Sequence, residues 1–354
     1  MDLDLFDYDL PQEMIAQSKS YPRDMSRLFH LDARGAVSRY RHMRFKDIVE
    51  KLDPGDILIL NRSRVIPARI RTRKPTGGRS EVLLLGRSGR FDWEALVGGK
   101  RIEEGMVLLA EEGDMRISVE RRLEEGRCMV CFYRDGEKVP HHEVLEWLRE
   151  FGLMPTPPYI KRMLSDPEEY QTVYGNIEGS VAAPTAGLHF TDELLEGIRK
   201  KGVEVLFVVL HVGLGTFAPV KSANIKDHVM EEEEYLVPPE VAEKIREAIS
   251  DHDKGKKRIW AVGTTVMRTL ESAFDGNGNL VKSSGRTGLY ITPGYQFKIP
   301  YKGFITNFHL PRSTPLILVS AFHNREGILD AYEEAKRVGY RFYSLGDSMM
   351  VRKG

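Results

Sequence analysis

Four histidines in this 354-residue sequence stand where an imidazole has room to act. His189 closes GSVAAPTAGLHF (179–190), a stretch of small residues too poor in bulk to be core. His211 ends the apolar run Val203 to Leu210 and opens a Gly213-x-Gly215 turn. His228 follows Asp227 in DHVM (227–230), and His309 follows Asn307 in TNFHLPRS (306–313). A side chain that titrates near neutrality suits proton transfer to or from a reacting group. Adjacency leaves open whether the side chains of Asp227 and His228 meet. His189 and His211, on either side of one short helix pattern, make the first site hypothesis.

Around these stand groups suited to holding a polar ligand. Thr264 and Thr265 follow RIWAV and Gly263, where the N–H groups of a helix start can hold a carboxylate, phosphate or ribose oxygen. Arg268 and Glu271 lie one and two turns further on nearly one face, placed to pair or to bind. Asn307 precedes Pro311, with Arg312 and Ser313 at the next helix start, and Asp347 ends YRFYSLGD. Arg23, Asp24 and Arg27 cluster ahead of Leu28 and Phe29. That cluster would grip a carboxylate or phosphate bidentately, or equally form a surface ion pair at a strand entry. One such residue is most simply a cap or a surface group. Their recurrence at strand ends and helix starts of successive units points to a shared cleft.

Several chemistries are disfavoured. The sequence has no H-x-x-x-H and no D-x-D-x-D loop, and His141-His142 sits on a surface-type helix, so no metal is expected. Gly-x-x-x-x-Gly-Lys, Gly-x-Gly-x-x-Gly and Gly-x-Ser-x-Gly are all missing. Cys128 and Cys131 lie in a strand-like run where residues three apart face opposite ways, which favours structural thiols over a redox pair.

Positioning these groups requires a sheet. EVLFVVL, RIWAV and GFITNFHL read as strands buried on both faces, each followed by a polar turn and a helix. The helix patterns are TDELLEGIRK capped by Thr191, Pro238 to Ser250, TVMRTLESAF, LILVSAF (apolar all round) and GILDAYEEAKRVG. YRFYSLGD reads as a closing strand. Between Arg62 and Arg149 the texture changes to short strands separated by Gly turns, then the helix HHEVLEWLREFG and a Pro-rich linker. The expected fold is α/β: a large, mostly parallel, barrel-like domain (1–61 and 150–354) with an inserted small β-barrel (62–149). Lys and Arg total 52, as do Asp and Glu, so nothing global announces a nucleic-acid binder. Locally, Arg62, Arg64, Arg69, Arg71, Arg73 and Lys74 run without an acid, and Glu231 to Glu234 form an opposite run. Each reads first as a solvated face. The acidic N-terminus and the lack of a long apolar window lead to the expectation of a cytoplasmic protein.

The motifs resemble the S-adenosylmethionine:tRNA ribosyltransferase-isomerase family of queuosine synthesis along nearly the whole chain. The matching strings include YDLP (8–11), RDMSRL (23–28), YQTVYGNIEGSVAAPTAGLHF (170–190), LHVGLGTFAPV (210–220), GTTVMRTLES (263–272) and TNFHLPRSTPLILVSAF (306–322). Two departures stand out: Glu231 follows DHVM where the family usually has His, and Gly288 to Ile291 replaces an Asp-Ile-Phe-Ile-type strand. The resemblance implies a fold of a large α/β domain with a small β-barrel. It implies transfer and isomerisation of the ribosyl group of S-adenosylmethionine onto the aminomethyl group of preQ1 in a tRNA anticodon loop. Epoxyqueuosine-tRNA, adenine and methionine would be the products. The acid and base would then come from His189, His211, His228 and His309, with Asp227 in support, the roles among them open. Thr185, Gly213, Gly215, Thr264, Thr265, Arg268, Glu271, Asn307, Arg312, Ser313, Asp347, Arg23, Asp24 and Arg27 form the pool of binding residues. The basic run would meet tRNA phosphates, and a splayed-out base would stack on Tyr159 or Phe217. A monomer is expected. Rival readings are a conventional methyltransferase using the same donor and a non-enzymatic RNA-binding module.

Overall fold

The computed structural model describes residues 1–32, 39–157, 159–162, 166–213, 220, 222–250 and 258–353. Two units are present. One comprises Met1–Ser63, Pro158–Ile177 and Ala183–Gly354, the other Arg64–Pro157 and Glu178–Ala182.

In chain order the strands begin with β1 (Arg27–Asp32), β2 (Arg39–Arg44), β3 (Ile57–Asn61) and β4 (Ser63–Val65). The second unit carries β5 (Arg69–Arg73), β6 (Arg79–Ser88), β7 (Asp92–Gly98), β8 (Val107–Ala110), β9 (Arg116–Arg122), β10 (Arg127–Arg134) and β11 (Glu137–Lys138). After β12 (Ile177–Ser180) come β13 (Glu204–Leu210), β14 (Glu233–Leu236), β15 (Ile259–Val262), β16 (Ser284–Thr287), β17 (Tyr301–Asn307) and β18 (Ser348–Arg352). The helices are α1 (His141–Phe151), α2 (Asp192–Lys200), α3 (Pro239–Ser250), α4 (Thr264–Ala273), α5 (Thr314–Phe322) and α6 (Arg325–Arg337).

The first unit is built on a nine-stranded sheet in the order β16-β14-β13-β3-β15-β17-β18-β1-β2. Its centre, β13-β3-β15-β17, is parallel; β14 and β18 flank it antiparallel, and β1 runs parallel to β18. β3, β15 and β17 are buried along their whole length, as expected of parallel strands covered on both faces. On one face Leu58, Leu60, Val262 and Ile305 pack with Phe45, Phe190 and the α2 residues Leu194, Leu195 and Ile198. Each such side chain contributes about 1.5–3 kcal/mol on burial. α2 starts as the sequence predicts, with the Thr191 side chain accepting from the Leu194 N–H at 3.1 Å. α4 packs on β3, β13 and β15.

The expected closing strand YRFYSLGD is instead an irregular segment, and β18 begins only at Ser348. Tyr343 has a φ of 76°, which no strand accommodates. Asp347 therefore stands at the start of β18. Because β18 is antiparallel to β17, with Ser348 opposite Asn307, Asp347 still falls at the edge where the central parallel strands end.

In the second unit β10, β7, β6, β5, β8 and β9 pair in turn, and β9 pairs back onto β10, closing a six-stranded barrel. In β5 the period of two turns Ile70 and Thr72 inward and Arg69, Arg71 and Arg73 outward. Cys128 and Cys131 are both buried; burial and the neighbouring Asp92 push the Cys131 thiol up to about 12.

Candidate active site

The carboxyl ends of β3, β13, β15 and β17 share an edge with the starts of β18 and β1, and the sheet supplies its polar groups there. Asn61, the last residue of β3, ties that strand to the end of β13: its Nδ2 donates to the Leu210 carbonyl at 2.9 Å and its Oδ1 accepts from the Leu210 N–H at 3.1 Å. Just beyond, Ser63 Oγ lies 2.8 Å from His211 Nδ1, which fixes that ring. After β15, Gly263 turns the chain at φ 90° into α4; a Cβ in that backbone conformation is strained. The first turn of α4 is thereby aimed at the same edge, with its N-terminal partial positive charge.

A cavity opens there. The loop Ala183–Ala186 forms one wall and Gly263, Thr264 and Thr265 a second. Thr306, Asn307 and His309 form a third, and Tyr343 and Ser344 close it together with Val212 and Pro315. Of the residues expected from sequence, Thr185, Thr264, Thr265, Asn307 and His309 are brought together in this lining. His309 Nε2 lies 2.8 Å from Thr306 Oγ1, and burial holds the imidazole down to about 3. His189 is fully enclosed behind the lining, stacked on Phe45 with ring centroids 5.0 Å apart. Its Nδ1 meets Ser26 Oγ at 2.8 Å and its Nε2 meets Asn307 Nδ2 at 3.1 Å. Burial, helped by the charge of Arg341, brings it to about 3, so it is neutral.

A second recess shares Thr264 and Pro315 with the first and is lined further by Met230, Arg268, Tyr290 and Leu318. Arg268 does not pair with Glu271. Its guanidinium pairs with Glu233 and donates to the carbonyls of Leu289 at 3.0 Å and Thr287 at 3.1 Å. Glu233 Oε1 accepts the Gly213 N–H at 2.8 Å, so Arg268 steadies the turn after His211 through Glu233. Glu233 is buried because β14 alternates, carrying Glu233 and Tyr235 inward; the acidic run is not simply a solvated face. Glu271 turns away from the cavity, accepting from Tyr295 Oη at 3.1 Å and the Lys298 N–H at 2.8 Å; burial raises its pKa.

The remaining residues are dispersed. His228 packs its ring edge-on against Tyr290, and burial lowers its pKa while Glu231 opposes the shift. Asp227 is exposed and makes no hydrogen bond to it. Asp347 accepts the N–H groups of Arg27 and Arg341, both at 2.8 Å. Arg23 donates to the Gln171 and Glu168 carbonyls, and Arg27 to that of Val338 while lying over Tyr340; Asp24 sits between them, half-buried. Arg312 is ion-paired to Asp4 and Asp7, and Ser313 Oγ donates to the Leu310 carbonyl. In the basic run, Arg62 belongs to the first unit and the others to the second. Arg69 pairs with Glu81 and Arg73 with Glu111, Lys74 donates to the Lys100 carbonyl, Arg64 is half-buried, and Arg71 is exposed. Tyr159 Oη bonds Ser344 Oγ. Gly215 and Phe217 lie outside the described residues. Among the described residues no cluster of three or more His, Cys, Asp or Glu is placed to hold a metal, and no helix is long and apolar enough to cross a membrane.

Sequence reasoning missed Ser26, Ser63, Glu233, Tyr343 and Ser344. Glu233 is hidden in the uniform acidic run 231–234, and the others are set by long-range contacts.

A sheet whose strands end at an uncharged cavity with a few polar groups on its wall, beside a helix start and two enclosed imidazoles, has the arrangement of an α/β enzyme. A family model described as queuosine biosynthesis protein matches residues 3–351. The S-adenosylmethionine:tRNA ribosyltransferase-isomerase of Moorella thermoacetica is 49% identical, covering 99% of this chain and 100% of its own length. The enzyme of the same name from Desulforamulus reducens is 46% identical with the same coverage. The crystal structure of S-adenosylmethionine tRNA ribosyltransferase from Thermotoga maritima, 36% identical, aligns over 98% of this chain and 99% of its own with a TM-score of 0.53. The chain belongs to the queuosine biosynthesis protein family.

Proposed function

We propose that this chain transfers and isomerises the ribosyl group of S-adenosylmethionine onto the aminomethyl group of preQ1 in a tRNA anticodon loop. It forms epoxyqueuosine-tRNA and releases adenine and methionine, acting as a monomer in the cytoplasm. The observation that carries this reading is 49% identity to a named ribosyltransferase-isomerase over essentially both full lengths.

The reaction needs a base beside the sulfonium, a neutral acceptor amine and a proton for the departing adenine. The candidates for these transfers are His309, on the cavity wall, and His211, held by Ser63, with His228 and Asp227 further out. The start of α4 and Thr185 bind the donor; Arg268 lines the adjoining recess and, through Glu233, steadies Gly213. The outward face of β5 and Arg62, Arg64 and Lys74 meet RNA phosphates, and Tyr159 stacks the target base. An RNA-dependent release assay tests the reading: with a preQ1-bearing anticodon stem-loop, adenine and methionine appear together in equal amounts. Formation of S-adenosylhomocysteine instead would establish methyl transfer.

A further inference from the structure

Asn307 ends β17 with its amide held from three sides. Nδ2 lies 3.1 Å from His189 Nε2, 3.4 Å from the Tyr343 carbonyl and 3.5 Å from the Asp347 carbonyl. Carbonyl oxygens only accept, so it is the amide nitrogen that faces them. Oδ1 is left over: it is buried, has no partner among the described residues, and belongs to a cavity-lining side chain that is 2% exposed. Since Nε2 of His189 accepts from Asn307, its ring proton sits on Nδ1 and goes to Ser26 Oγ. Both nitrogens of His189 are thereby engaged, and the ring is not part of the cavity lining.

A second buried atom in the same wall also lacks a partner. Thr265 is 6% exposed, lines the cavity, and its Oγ1 bonds nothing among the described residues. Buried polar atoms left unpaired are costly, and two that line one cavity can be satisfied together by a molecule bound in it. The character of that ligand follows from the wall: no lining residue is Asp, Glu, Lys or Arg, and His309 is neutral. An unpaired amide oxygen gains nothing from a carboxylate or a phosphate oxygen, and no lining side chain carries a negative charge to hold an ammonium. An amide oxygen accepts and a hydroxyl accepts or donates, which fits a pair of neighbouring neutral hydroxyls.

We propose that Asn307 Oδ1 and Thr265 Oγ1 hold the ring hydroxyls of the donor's ribosyl group, and that His189 is a positioning residue that aims Asn307. This rests on the donor assigned under Proposed function. It takes His189 out of the pool of acids and bases and leaves proton transfer to the other histidines.

Calorimetry of donor binding in the presence of an anticodon stem-loop that lacks the acceptor amine tests it, using S-adenosylmethionine and its 2′-deoxy and 3′-deoxy ribosyl forms. The unaltered chain is expected to lose about tenfold in affinity for at least one deoxy form. Asn307→Ala and Thr265→Ala each weaken the parent donor by about that factor, and each becomes indifferent to removal of the hydroxyl it pairs. His189→Phe keeps the stack on Phe45, weakens donor binding several-fold and leaves the shape of the pH profile of turnover intact; His189→Gln, which restores an acceptor for Asn307, recovers part of the affinity. Equal affinity of the unaltered chain for all three donors would overturn the hydroxyl assignment while leaving ribosyl transfer standing. Loss of one limb of the pH profile in His189→Phe, at unchanged affinity, would overturn the positioning role. A chain that binds none of the three donors even with the stem-loop present, and releases no adenine with the preQ1-bearing one, would sink the reading of function itself.

Discussion

Arg268 satisfies three acceptors from inside the protein, and that saturation defines its role more firmly than its place in α4 does. Its partner Glu233 is as deeply buried, so removing the arginine strands a carboxylate away from water. Arg268→Ala is expected to cost about 3–5 kcal/mol in chemical denaturation, and Arg268→Met combined with Glu233→Gln to recover much of it. The enclosed histidines give a second residue-scale prediction. His189 and His309 titrate near 3 in the fold, and near 6.5 once unfolded. Between those values the unfolded chain binds more protons, so the stability they allow is complete above pH 6.5 and is lost as pH falls towards 3. Each contributes a loss of about 2 kcal/mol between pH 7 and pH 5. Denaturation midpoints that did not fall over that range would show these imidazoles to be less enclosed than they are here. At this scale the sequence was only partly legible. Which residues cluster near the site could be read from strand ends; what each one touches could not, because Asn307, His189 and Ser26 meet across more than a hundred residues of chain.

At the scale of elements, the site exists because several strands stop at one edge, and that depends on how closely the strands and their side chains approach beneath it. Gly303 in β17 is the tightest such point: a Cβ there would overlap the indole of Trp260 on β15. That indole is itself anchored, its Nε1 donating to Asp56 at 2.9 Å. Gly303→Ala is expected to lower stability by about 1–3 kcal/mol and to disturb donor binding, since β15 leads through Gly263 into Thr264 and Thr265 and β17 ends in Asn307. Unchanged melting with intact binding would contradict this account of the sheet. The parallel centre was readable because EVLFVVL and RIWAV have no polar face to expose. α2 was readable because Thr191 and its apolar spacing agree. YRFYSLGD was misread because its aromatic alternation mimics a strand, whereas Tyr343 and the turn at Gly346 break the backbone period.

For the whole molecule, the switch from α/β texture to short Gly-punctuated strands near Arg62 announced a second unit, and its six strands do close. The return segment Glu178–Ala182 carried no such signal, since small residues mark neither strand nor linker. The barrel's basic face is less free than its sequence suggests, with Arg69 and Arg73 facing Glu81 and Glu111. If β5 meets the RNA, Arg71→Glu weakens stem-loop binding and lowers the slope of affinity against salt by about one; an unaltered slope would move the RNA contact elsewhere. Ribosyl transfer is followed through the carbon of the donor's ribose. The chain is given S-adenosylmethionine labelled on ribose carbon together with a preQ1-bearing anticodon stem-loop, and the RNA is assayed for label. Ribose label is expected in the RNA, with one adenine released for each transfer. Label entering the RNA only from a methyl-labelled donor would contradict ribosyl transfer.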